Sequence, residues 1–342
     1  MAPVPFLIRQ SRRDLTALSG LAFVGVALKR FAEIARHIDP AFPVRQGLPS
    51  SQILTSYIGL LAEGKSDFEA IEGKCQERFF REALGLTTVP SRATLRQRMD
   101  ALGAAGSEAV DALLVPLLQR GRATFAPTTS GHVPLDIDVF CMDNSGTHKE
   151  GVGRTYAGYD GFAPIAAYLG AEEGYCLALE LRHGTWHSVK ETEYTLERII
   201  PRGLALIGKH QRLLLRWDSG FDSETLFRTA LIEGAGRVDV LGKWNPRCFD
   251  VEGCAVAKRA DAATVWASPR PGKRTTTWMS TGRTITVSDG RKVALRRVLR
   301  LTERTTRADG TPLLFPEVTI DGWETTLEGT PDTLIALYEA HG

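Results

Sequence analysis

The chain has 342 residues and a formal net charge of +2, with 43% hydrophobic and 24% charged residues. This composition is ordinary for a soluble globular protein and excludes wholesale disorder, and the length suits two domains or one large domain carrying an insertion. No apolar run reaches the roughly 18 residues that a membrane span needs, and the start of the chain lacks the charge order of a signal peptide.

The five cysteines are scattered and form no CxxC pair. This pattern supports neither a disulfide framework nor a zinc knuckle, and it favours a reducing cytoplasm. Local clusters of cations are compatible with nucleic-acid binding and equally with a solvated surface. The two clusters are Arg9, Arg12 and Arg13, and then Arg92, Arg96 and Arg98.

The first third of the chain, residues 14–124, is predicted to be helical. LTALSGLAFVGVALKRFAEIARHI has apolar residues at helical spacing, and the serines of SSQILTSYIGLLAEG suit an N-cap. SDFEAIEGKCQERFFREALG ends in a glycine, as expected for a helix C-cap. SRATLRQRMDALG then predicts a helix capped by Ser91 that exposes Arg92, Arg96 and Gln97 near its start. A short helix, a turn and a polar helix bearing arginines suit a helix-turn-helix reader of DNA; the alternative is a surface helix of a bundle.

FAPTTSGHVP is predicted to be a linker, after which the pattern changes to strands. LDIDVF, FAPIAAYLG and YCLALELRHG are three strands, followed in turn by a helix, the strand RLLLRW, a helix capped by Ser223 and the strand RVDVLGKW. The order β, β, β, α, β, α, β predicts an α/β fold of the mixed α+β kind, with helices against a mixed sheet. Residues 245–315, rich in Thr, Val and Arg with a DG turn, predict an all-β insertion, and the chain continues with one more strand and a helix.

Two acids in this part of the chain are candidates for chemistry. Asp138 lies within an apolar strand, and Asp218 ends another. Two carboxylates from two strands of one sheet could bind Mg²⁺ or Mn²⁺, and paired ions would hold both reacting oxygens of a phosphodiester. The alternative is that each acid ends its strand and caps the next turn. Asp136 and Asp143 compete with Asp138, which is favoured because the apolar run places it nearest the sheet centre.

Other motifs are weaker. GVGRTYAG precedes a strand and does not link a strand to a helix, which argues against a dinucleotide loop. His183 and His187 are four residues apart, but Gly184 disfavours a helix there and no third zinc ligand follows. Ser145 and Ser219 have no evident histidine partner. Together these observations predict no cofactor loop and no small-molecule substrate.

Three segments resemble the core of bacterial insertion-sequence transposases of the DDE type, and in particular the group of insertion sequence family thirteen-eighty. They are DIDVFCMDNSGTHKEGVGRTYAGYDGFAPIAAYLG, LELRHGTWHSVKET and LLLRWDSGFDS. The resemblance extends from about residue 130 to the end of the given sequence, with a looser match in the helical third. It implies an RNase H-like domain at 126–342, interrupted by a β-rich insertion, after a helical DNA-binding region at 1–125.

The resemblance also implies a function. Asp138 and Asp218 would be the first two catalytic acids and would hold Mg²⁺ or Mn²⁺ for DNA strand cleavage and transfer, with Asp143 as a further metal-ligand candidate. Arg92 and Arg96 in the helical region would bind DNA, and the phosphate contacts would come from Lys149, Arg154 and Tyr156. Double-stranded DNA, both transposon ends and target, would be the partner of a homodimer in the bacterial cytoplasm, associated with the nucleoid and without membrane contact. The glycines of residues 143–160 would form a flexible, cationic connection between two strands.

The third acid departs from the family pattern. In the family a glutamate follows a tyrosine and a glycine, whereas here Tyr338-Glu339-Ala340-His341-Gly342 matches only that lead-in. Neither Glu339 nor Glu324 matches the motif, so the sequence indicates a truncated transposase with weak metal binding and poor cleavage. The alternatives are a DNA-binding remnant or inhibitor without catalysis, and an RNase H-like nuclease that never performs strand transfer.

Overall fold

The computed structural model describes residue 16 and residues 18–340. The chain divides into two compact units, Met1–Ala123 and Thr124–Gly342. The cluster of Arg9, Arg12 and Arg13 lies outside the described residues, as do His341 and Gly342 at the end of the tyrosine motif.

The first unit is helical. Its α-helices are α1 (Leu21–Ala27), α2 (Ile34–Ala41), α3 (Ser50–Ala62), α4 (Arg78–Leu84), α5 (Arg92–Asp111) and α6 (Leu114–Arg120), with a π-helical turn at Leu28–Ala32 and a 3₁₀ turn at Phe68–Lys74. Helix α3 lies between two apolar clusters, because Ile53 and Leu60 pack in one and Leu54 packs in the other. Burial on two sides explains why the sequence of α3 is apolar almost all the way round.

Two of the predicted helix ends are confirmed and one is wrong. Ser91 caps α5 by accepting a hydrogen bond from the backbone N–H of Thr94, and Gly85 ends α4 in the left-handed conformation, with φ 67°. The serines of α3, however, do not cap it. Ser51 is already inside the helix and donates its hydroxyl to Asp39, because a carboxylate 12 residues earlier competes for the serine.

One helical stretch of the described residues, Arg92–Arg120, is long and apolar enough to cross a membrane by length and composition alone. Its backbone is not one straight helix, since Gly103 has φ 51° and ψ −148°. Core helices of soluble proteins and signal sequences can meet the same two criteria, so length and composition alone do not identify a membrane span.

The second unit is mixed α/β. Its strands are β1 (Val133–Val139), β2 (Met142–Asp143), β3 (Gly153–Arg154), β4 (Asp160–Phe162), β5 (Ile165–Leu169), β6 (Tyr175–Glu180), β7 (Leu213–Trp217), β8 (Val238–Trp244), β9 (Ala267–Arg270), β10 (Lys273–Thr286), β11 (Lys292–Thr306) and β12 (Pro312–Thr325). Its helices are α7 (Thr192–Leu206), α8 (Glu224–Glu233), α9 (Val251–Ala260) and α10 (Pro331–Glu339).

Nine strands form one sheet in the order β6-β5-β1-β7-β8-β12-β11-β10-β9. Strand β5 is antiparallel to β1 and β6, whereas β7 is parallel to both β1 and β8. The predicted order of three strands followed by two helix-connected strands is therefore confirmed, and with it the mixed sheet. Leu213, Leu214 and Leu215 are fully buried, as expected for a central strand covered on both faces.

The predicted insertion differs from the structure in one respect. Its strands join the main sheet through β12, which pairs antiparallel with β8, and the DG turn connects β10 to β11 at Asp289 and Gly290. The insertion is not all β, because α9 precedes its first strand and buries Ala255 against Leu301 and Ile320. The α9 sequence VEGCAVAKRA has few residues of strong β preference, which is the signal for that helix.

Helix α10 covers the sheet close to the carboxyl ends of its parallel strands. Leu334 and Leu337 pack with Leu214, Leu241 and Trp323. Thr330 caps the helix by accepting a hydrogen bond from the N–H of Thr333, and Pro331 occupies the first turn, where its missing N–H costs nothing.

Candidate functional site

Two aspartates lie side by side at the carboxyl edge of the large sheet. Strands β1 and β7 are parallel neighbours whose register pairs Asp136 with Arg216. The same register, continued by two residues, places Asp138 opposite Asp218, just after β7 ends at Trp217. Because adjacent strands lie about 4.8 Å apart and in-register residues share a face, both carboxylates face one small volume.

Each aspartate is exposed and is oriented by a nearby backbone amide. Asp138 Oδ1 accepts a hydrogen bond from the N–H of Val139 at 2.7 Å, and Asp218 Oδ1 accepts one from Gly220 at 2.9 Å. Asp218 thereby caps the 3₁₀ turn Ser219–Phe221, so the capping role is real at this residue. Asp138 is not the buried carboxylate that its apolar strand suggests, since it lies one residue from the end of β1.

Two tyrosines lie close enough to both aspartates for the carboxylate charges to affect the pKa values of their hydroxyls. Partial burial, the neighbouring Cys141 and the negative charges of Asp138 and Asp218 together raise the pKa of Tyr156 to about 12. Burial and the same two carboxylates also raise the pKa of Tyr338, on α10, to about 12. A phenolate is disfavoured beside two carboxylates, so both hydroxyls stay protonated at neutral pH. Tyr338 was noted in the sequence only as part of a motif, and no sequence signal placed it beside Asp138.

Asp136 has a different role from Asp138, although the two share a face of β1. Its carboxylate receives two hydrogen bonds from Arg216, at 2.6 Å from Nε and 2.7 Å from Nη2. The Arg216 side chain is only 2% exposed, and its Nη1 donates to the carbonyl of Leu337 on α10 at 2.9 Å. This bidentate pair fixes α10 against β1 and β7. It also engages the carboxylate of Asp136, the alternative to Asp138 as the first catalytic acid.

The glycine-rich stretch is not the flexible connection expected from the sequence. Strands β2, β4 and β3 form a separate three-stranded sheet, joined at its edge by a bridge from Phe162 to His183. A side chain at Gly184 would collide with the carbonyl oxygens of Gly161 and Gly153, which lie 2.0 Å and 2.4 Å from an ideal Cβ. Close backbone packing therefore requires glycine at Gly184 and, within the stretch, at Gly161, whose ideal Cβ would lie 2.0 Å from the carbonyl oxygen of Met142. Gly146, by contrast, has open space around it.

This small sheet holds Tyr156 over the end of β1. Thr155 is buried and bonds through both its N–H and its hydroxyl to the carbonyl of Tyr159, at 2.9 Å and 2.7 Å. The resulting tight turn presents Tyr156, whose hydroxyl donates to the carbonyl of Val139 at 3.0 Å. Most of the Tyr156 side chain remains exposed, at 73%, so the ring is available to a ligand.

A cleft of about 700 Å³ opens beside Asp218. It is lined by Val139 and Tyr156, by the loop from His187 to Val189, and by the loop bearing Asn245 and Arg247. The lining includes the carboxylates of Asp218 and Asp222 and the cation of Arg247, and this combination of charges suits an anionic ligand held through a cation.

Arg182 supports one wall of this cleft from inside the protein. It is only 6% exposed and donates hydrogen bonds to the carbonyls of His187, at 2.9 Å, and of Lys190. Burial lowers the pKa of its guanidinium, and the ring of Trp186 lies 5.5 Å from it. The HGTWHSVKET segment is thus a braced loop and not a zinc site, because His183 instead bonds to Thr185 at 2.9 Å.

A buried ionic network supports the opposite wall. Asp222 accepts a hydrogen bond from the N–H of Asn245 at 3.0 Å and pairs with Arg283. Arg283 also pairs with Glu324 at 2.5 Å, and Arg297 reaches Glu324 at 2.6 Å. Glu324 is 1% exposed, so it belongs to a structural network, and no sequence pattern indicates its partners.

The remaining candidate residues for metal or phosphate lie apart from this pair. Asp143 is in the small sheet, where the backbone N–H of Ser145 lowers its pKa, and its charge acts on Tyr159. Arg154 is exposed and lies 3.8 Å from Asp160, and Lys149 is exposed in the preceding turn.

The DNA-binding residues predicted in the first unit are exposed at the start of α5. Arg92 lies 3.9 Å from Glu69, and Arg96 faces solvent one turn later. Arg98 differs, since its guanidinium donates at 2.9 Å to the Leu48 carbonyl and to the Ser50 hydroxyl. The short helix α4, the following turn and α5 therefore have the order expected for a helix-turn-helix, with Arg98 serving the packing.

Within residues 18–340, no group of three or more His, Cys, Asp or Glu side chains is arranged to hold a metal ion. Asp138 and Asp218 form a pair only, and Glu339 on α10 bonds at 2.6 Å to Arg300. Comparison with models of known protein families and with curated proteins gives no match to this chain.

Proposed function

We propose that the protein is a DNA transposase of the DDE type with an RNase H-like catalytic domain. The observation that supports the proposal is the parallel register of β1 and β7, which, continued by two residues, brings Asp138 and Asp218 to the same edge of the sheet. The resemblance in sequence selected the same two residues, without knowledge of the strand register. Agreement between a motif and an independent geometry is stronger support than either alone.

The strand order supports the RNase H-like part of the proposal. Three antiparallel strands, β6, β5 and β1, are followed by the parallel strands β7 and β8. Helices α7 and α8 provide the two connections. Ligands of open α/β sheets bind outside the carboxyl ends of the strands, and Asp138 and Asp218 lie at that edge.

The two carboxylates fit a divalent cation of the hard, oxygen-binding class. They are exposed, they face one volume, and the raised pKa values of Tyr156 and Tyr338 mark negative charge concentrated there. Mg²⁺ or Mn²⁺ held by Asp138 and Asp218 would stabilise charge on the oxygens of a phosphodiester. The protein's own contribution is to fix the carboxylates through the N–H groups of Val139 and Gly220.

Other side chains suit the binding of the DNA strand beside that site. Arg247 and His187 line the cleft, and Tyr156 exposes its ring at the rim. Phosphate contacts of this kind position a strand without reading its sequence. The exposed Arg92 and Arg96 of α5 would bind duplex DNA in the first unit.

A second candidate, DNA binding without cleavage, is favoured by one observation. Among residues 18–340 no third carboxylate joins Asp138 and Asp218, since Glu324 and Glu339 are both paired with arginines. A chain acting in this way would occupy transposon ends and inhibit the active transposase.

Nicking of a supercoiled plasmid in the presence of Mg²⁺ or Mn²⁺ tests the first proposal. We expect the chain to nick the plasmid slowly, because no third acid joins the site among residues 18–340. We expect Asp138→Asn and Asp218→Asn to abolish nicking, and Asp143→Asn, a matched loss of one carboxylate, to retain it. Plasmid binding without nicking by the unsubstituted chain would favour the second candidate. Nicking that survives both Asp138→Asn and Asp218→Asn would refute the assignment of the site.

A further inference from the structure

The inserted strands extend well beyond the edge at which the aspartates lie. Strand β8 ends at Trp244, opposite Gly322 of β12, and Gly322 is opposite Leu299 of β11. The parts of β9–β12 beyond this point, residues 267–277, 300–306 and 312–321, form a projection that we call the β-arm. It points past the carboxyl ends of β1, β7 and β8, because β12 is antiparallel to β8.

The β-arm is basic at its far end. Lys273 is opposite Arg304, and Arg304 is opposite Glu317, five residues beyond Gly322. At about 3.4 Å per residue, these cations lie roughly 17 Å beyond the end of β8. The substrate of the aspartate pair would extend into this region.

Two clefts occupy the end of the β-arm, with volumes of about 820 Å³ and 350 Å³. They share Arg270 and Lys273, so the cations form one continuous surface around the turn between β9 and β10. Six cations line the two clefts against two carboxylates, Glu303 and Glu317; the cations are Arg259, Arg270, Lys273, Arg274, Arg304 and Arg307.

The six cations divide into a structural and an unpaired set. Arg259 and Arg274 both pair with the buried Glu303, at 2.6 Å and 2.5 Å. Across residues 18–340, by contrast, no carboxylate forms an ion pair with the other four, which are Arg270, Lys273, Arg304 and Arg307. Glu317 lies opposite Arg304 and Asp309 interacts with Arg270, but these two carboxylates do not balance four cations. The remaining like charges repel one another, and an anionic ligand would offset that repulsion.

The same region exposes apolar side chains. Leu314 and Phe315 on β12 are 89% and 75% exposed, on a part of the strand that β8 no longer covers. A surface that combines unpaired arginines with exposed aliphatic and aromatic groups suits a polymer with phosphates, sugars and bases more than a free inorganic anion.

We propose that the β-arm binds the phosphate backbone of duplex DNA at a second place, separate from the aspartate pair. Lys273, Arg304 and Arg307 make the principal contacts, and Arg270 holds the turn through Thr306, at 2.9 Å and 3.1 Å. The inference deepens the proposed function and rests on it for the identity of the ligand, but its test uses binding alone.

The test is the salt dependence of binding to a labelled duplex of arbitrary sequence, measured by fluorescence anisotropy with the full chain. Each phosphate contact contributes roughly 0.9 to the slope of log affinity against log salt. The triple variant Lys273→Gln/Arg304→Gln/Arg307→Gln is therefore expected to lower that slope by about 2.7 and to bind at least tenfold more weakly at low salt.

A matched control removes three cations from the opposite edge of the sheet. Lys209→Gln/Arg291→Gln/Lys292→Gln has the same net charge as the test variant, and its positions lie in the turn before β7 and at the other end of the β10–β11 hairpin. We expect the control variant to keep a slope of log affinity against log salt that differs from that of the unsubstituted chain by less than about 0.9, the value of one phosphate contact. Circular dichroism establishes that both variants fold, and Arg307→Glu at one exposed position provides a milder second test.

The outcomes separate this inference from the proposed function. If the test and control variants have equal affinities for DNA and equal slopes of log affinity against log salt, the β-arm assignment is wrong. This holds independently of the result of the nicking assay. A reduced slope in the test variant alone, together with an absence of plasmid nicking, would support the β-arm as a DNA surface and refute cleavage.

Discussion

The register of the parallel strands β1 and β7 pairs Asp136 with Arg216 and, continued by two residues, places Asp138 opposite Asp218, just after β7. If the two act as one site, removing either removes the function of both. We expect Asp138→Asn and Asp218→Asn each to lower the rate of Mn²⁺-dependent nicking on the order of a hundredfold or more, and the double variant to lose no more than either single one. Rates measured side by side would contradict this if the two effects multiplied.

The buried pair of Asp136 and Arg216 predicts a large stability effect without direct chemistry. Asp136→Asn leaves Arg216, 2% exposed, without its counter-charge, which costs about 3 to 5 kcal/mol. Chemical denaturation measures the change in the free energy of unfolding. Asp143→Asn, at an exposed position, is the matched control and is expected to change it by less than about 0.5 kcal/mol. An equal effect of the two substitutions would contradict the structural role of the pair.

The raised pKa values of Tyr156 and Tyr338 predict an alkaline titration. Both values rise to about 12, so the neutral phenols are favoured by folding. Their contribution to stability is complete below pH 10, the usual tyrosine range, and is lost as the pH rises towards 12. Phenolate absorbance of the unsubstituted chain minus that of Tyr156→Phe isolates one group.

In the background of Asp218→Asn, that isolated transition should move to lower pH, because one neighbouring negative charge is gone. An unchanged midpoint would show that Tyr156 and Asp218 are not close. The same comparison with Tyr338→Phe tests whether α10 lies over the site.

Substitutions of different arginines on α5 are expected to have opposite effects on DNA binding and on stability. Arg92→Gln/Arg96→Gln is expected to weaken duplex DNA binding and to lower the salt slope by about 1.8, with stability unchanged within about 0.5 kcal/mol. Arg98→Gln removes hydrogen bonds to Leu48 and Ser50 and is expected to cost about 1 to 2 kcal/mol while leaving the slope unchanged. The helix-turn-helix interpretation would fail if Arg98→Gln, and not the double variant, changed the slope.

Asp239 predicts the response of the fold to acid. Burial opposes its ionisation, but hydrogen bonds from His132, Arg212 and Thr326 outweigh burial and lower its pKa. A lowered pKa stabilises the fold above the usual aspartate value of about 3.9, and that stability is lost as the pH falls below it.

Asp239→Asn should therefore destabilise the protein by about 2 kcal/mol at neutral pH and flatten the dependence of stability on pH below 4. Thermal unfolding followed from neutral to acidic pH measures both effects. A variant with the same steep acid dependence as the unsubstituted chain would show that other carboxylates determine it.

Much of the second unit could be predicted because its pattern is local. Strands β1, β5, β7 and β8 and helices α7 and α8 each have a hydrophobic pattern of their own. The predicted cap of α8 is only partly right, because Ser223 occupies the N-cap position but makes no capping hydrogen bond. Helix α9 was missed because it lies between hairpin sequences rich in Thr and Arg and carries little periodic signal.

The environment of the site could not be predicted in the same way. The sequence places Asp136 and Asp138 on the same face of one strand and does not distinguish their roles. Only the hydrogen bond from Arg216, 80 positions later, shows that Asp136 has a structural partner. The glycines suggested flexibility, whereas Gly161 is required by its close approach to the backbone of Met142 and Gly184. Both features depend on contacts between distant segments, which composition and periodicity do not contain.

Binding of Mn²⁺ to the chain, followed by electron paramagnetic resonance, tests most directly whether Asp138 and Asp218 form one site. We expect the unsubstituted chain and Asp143→Asn to bind the ion alike, and Asp138→Asn and Asp218→Asn each to weaken binding at least tenfold. Binding that is unchanged in both of those variants, or lost in Asp143→Asn alone, would contradict the account.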